Sequence, residues 1–222
     1  LEQEVLLGMG GVRAIRAYCR ITGAPAPAVF HTNEGHAGFM GLERIREYMQ
    51  TGLDFDTALE LTRAGTVFTT HTPVPAGIDR FPRELILHQF AGFDDLPVDR
   101  VLALGAEDYE GGDPNKFNMA VMGFRLAQRA NGVSSLHGVV SREMFQGLWR
   151  SFDTSEVPIT QITNGVHHLT WVHRELLELL EAPTGSPSES DGYDWNALAR
   201  VESKTIWALK RRMREDLIAM TR

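Results

Sequence analysis

Two stretches decide the fold class predicted for this chain, AVFHTNEGH at residues 28–36 and TVFTTHTPVPAG at residues 66–77. Each begins with apolar and β-branched residues, which is typical of a buried strand, and each passes into a polar loop that carries histidine. The prolines and the glycine of the second loop prevent regular strand pairing from continuing through it. We therefore expect strands at about residues 28–30 and 66–70, each followed by a polar loop.

Helical patterns lie around these strands. Apolar residues recur at the spacing of one helix face, and Asp56 is the expected N-cap of one of the helices. A third short strand is expected at residues 159–163, just before the turn Asn164-Gly165. The expected helices cover residues 1–18, 38–51, 56–65, 80–90, 139–149, 173–182 and 195–221. A further helix is expected within residues 119–137, capped by Asn131-Gly132.

Strands that alternate with helices predict an α/β fold with a largely parallel sheet. In such a sheet, ligands bind beyond the carboxyl ends of the strands. The polar loops HTNEGH, HTPVPAG and TNGVHH all follow strand ends, so we expect them to converge on one site. The low-complexity stretch PTGSPSESDGYD, residues 183–194, is expected to form a surface loop or an insertion.

The composition argues against several classes of partner. The net charge of −7 and the pI of about 5.6 are the opposite of the basic surface that binds nucleic acid, so no nucleic-acid partner is expected. The sequence has neither the long apolar run of a membrane span nor a secretory signal at its start. The single cysteine, Cys19, argues against internal disulfides and fits a cytoplasmic protein.

Several ligand types fit the polar loops. His31, Glu34 and His36 are close enough in sequence to suggest a metal site, but their spacing is not the helical HExxH arrangement. Hydrogen bonding to a substrate, or stabilisation of a turn, is the favoured interpretation of this cluster. The pair Asn164-Gly165 is likewise either an ordinary turn or part of a substrate loop.

A second interpretation of the polar residues is a pair of catalytic carboxylates, as in glycoside hydrolases. Acidic residues are available for such a pair, but the sequence does not place any two of them about 5 to 10 Å apart across a glycosidic bond. The candidates are Glu34, Glu107, Asp108, Glu110 and Asp113.

Four blocks, in this order, resemble the α-glucan phosphorylases, particularly the bacterial form with the signature NEGH. The resemblance runs from about Leu1 to Met220. It implies a glycosyltransferase of the GT-B type, with Rossmann-like halves on either side of the active site and pyridoxal phosphate as cofactor. The four blocks are FHTNEGHAGFMGLERIREYM, VFTTHTPVPAGIDRF, FNMAVMGFRLAQRANGVSSLHGVVSREMF and ITNGVHHLTWV.

The resemblance also implies roles for individual residues. His71 is similar to the histidine whose main-chain carbonyl faces the reacting glucosyl unit, and the following Thr72 is expected to bind substrate with it. Asn164 resembles the asparagine that hydrogen-bonds hydroxyls of the same glucose. Glu34 and His36 resemble the acidic residue and the histidine of the acceptor-side loop. Muscle-type enzymes have aspartate-threonine-histidine there, so the acceptor contact of Glu34 is less closely matched than that of His36.

By the same resemblance, residues 1–222 are part of the N-terminal, glucan-binding domain, and the cofactor-binding C-terminal domain is absent. The family's cofactor lysine has a glycine-methionine-lysine context, which Lys116, Lys204 and Lys210 do not share. The lysine-arginine pair that grips substrate phosphate is also missing. We therefore expect no bound cofactor and no activity for this chain alone.

The parent enzyme implied by the family cleaves α-1,4-glucan with phosphate to give glucose 1-phosphate, in the cytoplasm, and a homo-oligomeric parent is compatible with it. Two alternatives stay open. One is a glucan-binding module without catalysis. The other is a transferase of the starch-synthase kind, whose lysine-glycine-glycine-leucine loop does not appear in the sequence.

Overall fold

The structure is a computed structural model that describes residues 1–180, 193 and 195–221. These residues form two compact units, Leu1–Asn164 and Gly165–Arg222. The surface loop or insertion expected at residues 183–194 lies outside the described residues except for Tyr193.

A four-stranded parallel sheet is the centre of the first unit, with the strand order β1-β2-β5-β6. Two further strands, β3 and β4, form a separate antiparallel pair. The predicted α/β class with a parallel sheet is confirmed. The strands are β1 (Phe30–Asn33), β2 (Thr66–Thr69), β3 (Arg80–Pro82), β4 (Lys116–Asn118), β5 (Arg129–Gly132) and β6 (Ile159–Gln161).

Helices connect the strands within the first unit, and the second unit is helical. The helices of the first unit are α1 (Glu2–Val5), α2 (Gly11–Thr22), α3 (Phe39–Gln50), α4 (Phe55–Ala64), α5 (Arg83–Phe90), α6 (Val98–Leu104), α7 (Met119–Arg125) and α8 (Ser135–Phe145). Those of the second unit are α9 (His168–Trp171), α10 (Arg174–Glu178) and α11 (Ser203–Thr221).

The prediction of a helix from residue 119 to a cap at Asn131-Gly132 was wrong beyond Arg125. The chain forms α7, then the interior strand β5, and only then α8. Partners on both sides hold β5, because it pairs with β2 and with β6. The backbone N–H of Thr70 also donates to the carbonyl of Asn131 at 3.0 Å, which continues this pairing beyond the end of β2. Tertiary pairing thus overrides the weak strand propensity of the sequence Arg-Ala-Asn-Gly.

Several boundaries also differ from those expected. The N-cap of α4 is Asp54 rather than Asp56, because Asp54 has an extended backbone and its carboxylate accepts from the N–H of Thr57 at 2.9 Å. Strand β1 begins two residues later than expected and continues through Asn33. The helix expected at residues 195–221 is a 3₁₀ segment, Trp195–Arg200, followed by α11.

A π turn, Leu6–Gly10, joins α1 to α2. It brings Gly8 against α3, where an added Cβ would lie 2.5 Å from the backbone nitrogen of Met40. Ion pairs then connect α2 to α3: the Nε of Arg13 lies 2.7 Å from Glu43, and the Nη2 of Arg16 lies 2.9 Å from Glu47. Close backbone approach and paired charges therefore fix α2 on the surface of α3.

Arg44 is a buried cation at the amino ends of β1 and β2. Its Nη1 donates to the hydroxyl of Thr66 at 2.6 Å and to the carbonyl of Thr62 at 3.1 Å. Its guanidinium also lies 4.3 Å from the centre of the Phe30 ring. Burial lowers the pKa of Arg44 below its ordinary value. One side chain of α3 thus contacts the end of α4 and the first residues of both strands.

Phenylalanine rings form the centres of two apolar clusters. In the first, the ring of Phe39 lies 5.2 Å from that of Phe90 and 6.2 Å from that of Phe117. In the second, Phe124 lies 4.8 Å from Phe68 of β2 and 4.6 Å from Phe145 of α8. Both α7 and β2 are therefore anchored in the core close to the strand ends that carry the polar loops.

Glu107 is a buried carboxylate that organises the segment before α7. It accepts from Arg80, from the backbone N–H of Asp113 at 2.9 Å and from the side-chain amide of Asn118 at 2.7 Å. Burial alone would raise the pKa of Glu107, but these hydrogen bonds outweigh it, and the pKa lies below its ordinary value of 4.5. The ionised carboxylate therefore stabilises the folded protein.

In the second unit, an ion pair joins α10 to α11, with Nη2 of Arg212 at 2.5 Å from the carboxylate of Glu175. The ring of His168 lies edge-on to Tyr193 and to Trp195, at 5.4 and 5.7 Å. Among the helices of the described residues, none combines the length and the apolar character needed to span a membrane.

We expect the substitution Glu107→Gln to lower the free energy of unfolding at pH 7 by about 1–3 kcal/mol. The buried carboxylate loses its charge, and the new NH2 group faces some of the donors from Arg80, Asp113 and Asn118. A carboxylate with a lowered pKa stabilises above its unfolded value, so this difference is present above pH 4.5 and is lost as the pH falls below it. Urea denaturation at pH 7 and at pH 3.5 measures both effects.

The matched control is Glu110→Gln, because Glu110 is a neighbouring acidic residue with an exposed side chain. We expect its stability at pH 7 to stay within about 0.5 kcal/mol of the wild type. Equal stability of the two variants at pH 7 would contradict the role given to the Glu107 network.

Candidate functional site

The loops predicted to carry function lie at one edge of the parallel sheet, beyond the carboxyl ends of its strands. The loop after β1 begins at Glu34, the loop after β2 contains His71, and the loop after β6 contains Asn164. Because β1 and β2 are neighbours, the first two loops are adjacent. Strand β5 lies between β2 and β6, so the strand that leads to Asn164 is about 10 Å from β2.

Glu34 joins the first two loops. One carboxylate oxygen, Oε2, accepts from the N–H of His71 at 2.8 Å, from the N–H of Thr72 at 3.0 Å and from the hydroxyl of Thr72 at 2.9 Å. The other, Oε1, accepts from the N–H of Gly35 at 3.0 Å. The sugar contact predicted for Glu34 stays a prediction, and both of its oxygens are engaged by protein donors.

The backbone of Glu34 is unusual, with φ of 70° and ψ of 167°. It is the one non-glycine residue with positive φ among the residues that the structure describes. This region of conformational space is occupied almost exclusively by glycine, and a residue with a side chain there costs about 1–3 kcal/mol. The surrounding contacts must therefore compensate for the strain.

The side chain of His71 is exposed but held on one side. Its Nε2 lies 2.6 Å from Oδ1 of Asn33, and because an amide oxygen only accepts, Nε2 is the donor. In the neutral ring this leaves Nδ1 as an acceptor. Within the described part of the chain, no group donates a hydrogen bond to the carbonyl oxygen of His71. The carbonyl and Nδ1 of His71 are thus both available to a ligand.

A row of polar side chains crosses the sheet behind these loops. The hydroxyl of Thr69 donates to Oδ1 of Asn131 at 3.0 Å, so it accepts from Nε2 of His31, which lies at 2.7 Å. His31 was a candidate metal ligand, but this nitrogen is engaged by Thr69. In residues 1–180, 193 and 195–221, no group of three or more His, Cys, Asp and Glu side chains is arranged to hold a metal ion.

The loop after β1 packs tightly on the start of α7. Gly35 is buried, and an added Cβ there would lie 2.9 Å from the carbonyl carbon of Met119 and 3.0 Å from the nitrogen of Ala120. The start of α7 is itself fixed by Asn118, whose Oδ1 accepts from the N–H of Ala120 at 2.9 Å and of Val121 at 3.1 Å. The capped end of α7 thus forms a rigid support beneath Glu34.

The other predicted site residues, His36 and Asn164, lie at the same edge and make no hydrogen bond to each other in the described part of the chain. His36 is exposed in the 3₁₀ turn Gly35–Ala37, directly after Glu34. Asn164 is exposed, three residues beyond the end of β6. Of the predicted residues, the structure brings Glu34, His71 and Thr72 into direct contact.

Sequence reasoning missed Asn33, which holds the ring of His71. A signal for it was available, because alternate residues of a strand share a face and Asn33 therefore follows His31 toward the same side. It also missed Thr69 and Asn131 as the partners of His31. Those contacts depend on a strand pairing in which Asn33 is opposite Thr69 and Thr69 is opposite Asn131.

Protein partners hold three of the carboxylates considered for hydrolysis, Glu107, Asp108 and Glu34. Glu107 is buried and bound to Arg80, and Asp108 lies 2.6 Å from Nη2 of Arg125. Glu34 is engaged by backbone amides. Each of these three carboxylates therefore has a structural role, which a pair of carboxylates that acts on a glycosidic bond does not need.

Comparison with known proteins identifies the family. No protein-family model matches the chain. A glycogen phosphorylase of Mycobacterium tuberculosis is 54% identical over 98% of the chain, and a maltodextrin phosphorylase of Thermococcus litoralis is 39% identical over 99%. The chain is homologous to the glycogen and maltodextrin phosphorylases. The resemblance predicted from the four blocks of sequence is thereby confirmed.

The homology to phosphorylases covers part of those proteins. A glycogen phosphorylase of Aquifex aeolicus is a further relative, 33% identical over 98% of the chain. The chain spans 26% of the Mycobacterium tuberculosis protein and 31% of the Aquifex aeolicus protein. It therefore corresponds to between a quarter and a third of the length of these phosphorylase relatives.

We expect the substitution Gly35→Ala to destabilise the protein by about 1–3 kcal/mol, because the new methyl group meets backbone atoms of α7 that cannot move independently. Urea denaturation measures the change. The control is Gly11→Ala in α2, where nothing lies within 4 Å of an added Cβ. That substitution should stabilise the protein by about 0.5–1 kcal/mol. A loss of stability in Gly11→Ala equal to that in Gly35→Ala would refute the close packing described for this loop.

Proposed function

We propose that residues 1–222 are part of the N-terminal, glucan-binding domain of an α-1,4-glucan phosphorylase of the GT-B type. The parent enzyme cleaves α-1,4-glucan with inorganic phosphate and gives glucose 1-phosphate. The observation that carries this proposal is the 54% identity to a glycogen phosphorylase along 98% of the chain. A cytoplasmic location and a homo-oligomeric parent belong to the same proposal.

The sheet edge supplies groups suited to a neutral sugar. The carbonyl oxygen of His71 is a fixed dipole that can stabilise positive charge developing on the ring of the reacting glucose. Nδ1 of His71 and the side chain of Asn164 can exchange hydrogen bonds with its hydroxyls, with Thr72 beside them. His36 is proposed to contact the neighbouring sugar.

Pyridoxal phosphate is proposed as the cofactor of the parent enzyme. The lysines of this chain do not fit its linkage, because Lys204 and Lys210 are exposed on α11 and Lys116 is partly exposed on β4. A lysine that forms a Schiff base is normally activated by desolvation or by a neighbouring cation. Cofactor and substrate phosphate are therefore proposed to bind residues of the parent outside these 222, and the chain alone is proposed to be inactive.

The first test is phosphate-dependent release of glucose 1-phosphate from maltodextrin by the full-length parent. We expect product when the enzyme is loaded with pyridoxal phosphate, and none after the cofactor is removed. The 222-residue chain with added pyridoxal phosphate is the negative control. Absence of product from a folded parent that contains the cofactor would contradict the proposed activity.

We expect the substitution Asn164→Ala in the parent to lower kcat by roughly tenfold to a thousandfold, because hydrogen bonds that strengthen in the transition state are lost. The matched control is Asn115→Ala, since Asn115 is exposed and lies before β4, outside the loops that follow β1, β2 and β6. Steady-state kinetics with maltodextrin and phosphate measure both. Unchanged turnover in Asn164→Ala would remove Asn164 from the site.

A further inference from the structure

We infer that Glu34 is a positioning residue, whose carboxylate fixes the main chain of His71 and Thr72 and so sets the direction of the His71 carbonyl. This differs from the acceptor-sugar contact expected from sequence resemblance. The inference rests on the proposed function, because the direction of that carbonyl matters only if the carbonyl faces the reacting sugar.

The hydrogen bonds of Glu34 leave little capacity for a substrate. An ionised carboxylate has about four acceptor sites. In Glu34 three donors, from His71 and Thr72, bond to Oε2 and fill it, while the N–H of Gly35 occupies one of the two acceptor sites of Oε1. A sugar hydroxyl could bind Oε2 only by displacing one of these donors, which leaves a single acceptor site, on Oε1, for a substrate. The side chain of Glu34 is therefore bound mainly to the loop after β2.

The peptide group between His71 and Thr72 shows how the hydrogen bonds of Glu34 orient the carbonyl of His71. In a trans peptide, the C=O of one residue and the N–H of the next point in opposite directions. The structure has no cis peptide bond among its described residues. Because Oε2 of Glu34 holds the N–H of Thr72 at 3.0 Å, the carbonyl of His71 is directed away from Glu34. One hydrogen bond thus determines where the carbonyl dipole points.

The strained backbone supports a dedicated role for the side chain. With φ of 70° and ψ of 167°, position 34 suits glycine, yet it carries a glutamate. Its backbone N–H donates to the carbonyl of Thr69 at 2.8 Å, and Gly35 is packed against α7, so neighbours on both sides hold this conformation. Strain of this kind persists where the side chain performs a task that glycine cannot.

The test compares Glu34→Gln and Glu34→Gly in the full-length parent. Both variants remove the charged acceptor, so we expect kcat to fall by about tenfold to a hundredfold as the His71 carbonyl loses its fixed direction. The KM for maltodextrin should stay within about twofold of wild type, for short and long glucans alike. Glu34→Gly also relieves the backbone strain, so its thermal unfolding temperature should fall less than that of Glu34→Gln.

A second measurement does not depend on activity. We expect hydrogen exchange at the amides of His71 and Thr72 to become at least about tenfold faster in Glu34→Gly, because those amides lose their acceptor. The increase should be smaller in Glu34→Gln, whose amide oxygen is an uncharged and weaker acceptor. The control is Glu110→Gln, which should change neither kcat nor this exchange. Mass spectrometry of a peptide covering residues 69–78 gives the exchange rate.

The possible outcomes separate the two hypotheses. A raised KM with unchanged kcat and unchanged amide exchange would overturn the positioning role and assign Glu34 to sugar binding. Faster exchange in the variants, combined with a wild-type parent that makes no glucose 1-phosphate, would support the fixing of the loop while refuting the proposed function. Unchanged amide exchange in both variants would refute the fixing of the loop whatever the kinetics.

Discussion

Parallel pairing of β1, β2, β5 and β6 is the constraint on which the rest of the site depends. Because the strands run in one direction, every loop that follows them emerges at one edge. Neighbouring strands lie about 4.8 Å apart, a distance that a glutamate side chain can cross. The carboxylate of Glu34 can therefore reach the amides of His71, 37 residues later in the chain. Strand order and side-chain length together join the loops after β1 and β2, which are far apart in the sequence.

Both ends of this strand pair are fixed by a charged side chain. At the amino ends, the buried guanidinium of Arg44 contacts Thr66 and the ring of Phe30. At the carboxyl ends, Glu34 bonds to the main chain after β2. A polar group buried without a partner is costly, so each charge stabilises the fold only while β1 and β2 keep their register. The register of the sheet and the geometry of the site therefore depend on each other.

Helix α7 also holds the loop after β1 in place. Glu107 binds the amide of Asn118, and the carbonyl oxygen of that side chain caps α7. The first residues of α7 in turn leave no room for a side chain at position 35. A buried ionic network far from the loops in sequence thus limits how the loop after β1 can move. This matters for a site whose proposed chemistry depends on the direction of one dipole.

Sequence alone predicted the α/β class and three of the four strands of the main sheet, because Val, Phe and Thr runs that end in polar turns are strong local signals. It failed at β5, since residues 129–132 contain no β-branched or aromatic residue and their pairing with two neighbours decides their conformation. Sequence resemblance also marked Glu34 and His71 as site candidates. It did not indicate that they bond to each other, because that contact exists only in the register of β1 with β2.

The π turn at Leu6–Gly10 controls the rotational phase of the helix that follows it. Each residue of a regular helix turns the chain by about 100°, so removing one residue from this turn would rotate α2 by about that angle about its own axis. Arg13 and Arg16 would then leave the face that meets Glu43 and Glu47. Gly8 would still be needed where the backbone of the π turn touches that of α3. The extra residue of the turn therefore corrects the rotation of the helix that follows. It lets one continuous helical segment make both the close contact of Gly8 and the ion pairs of Arg13 and Arg16, which a uniform α-helix would place on different faces.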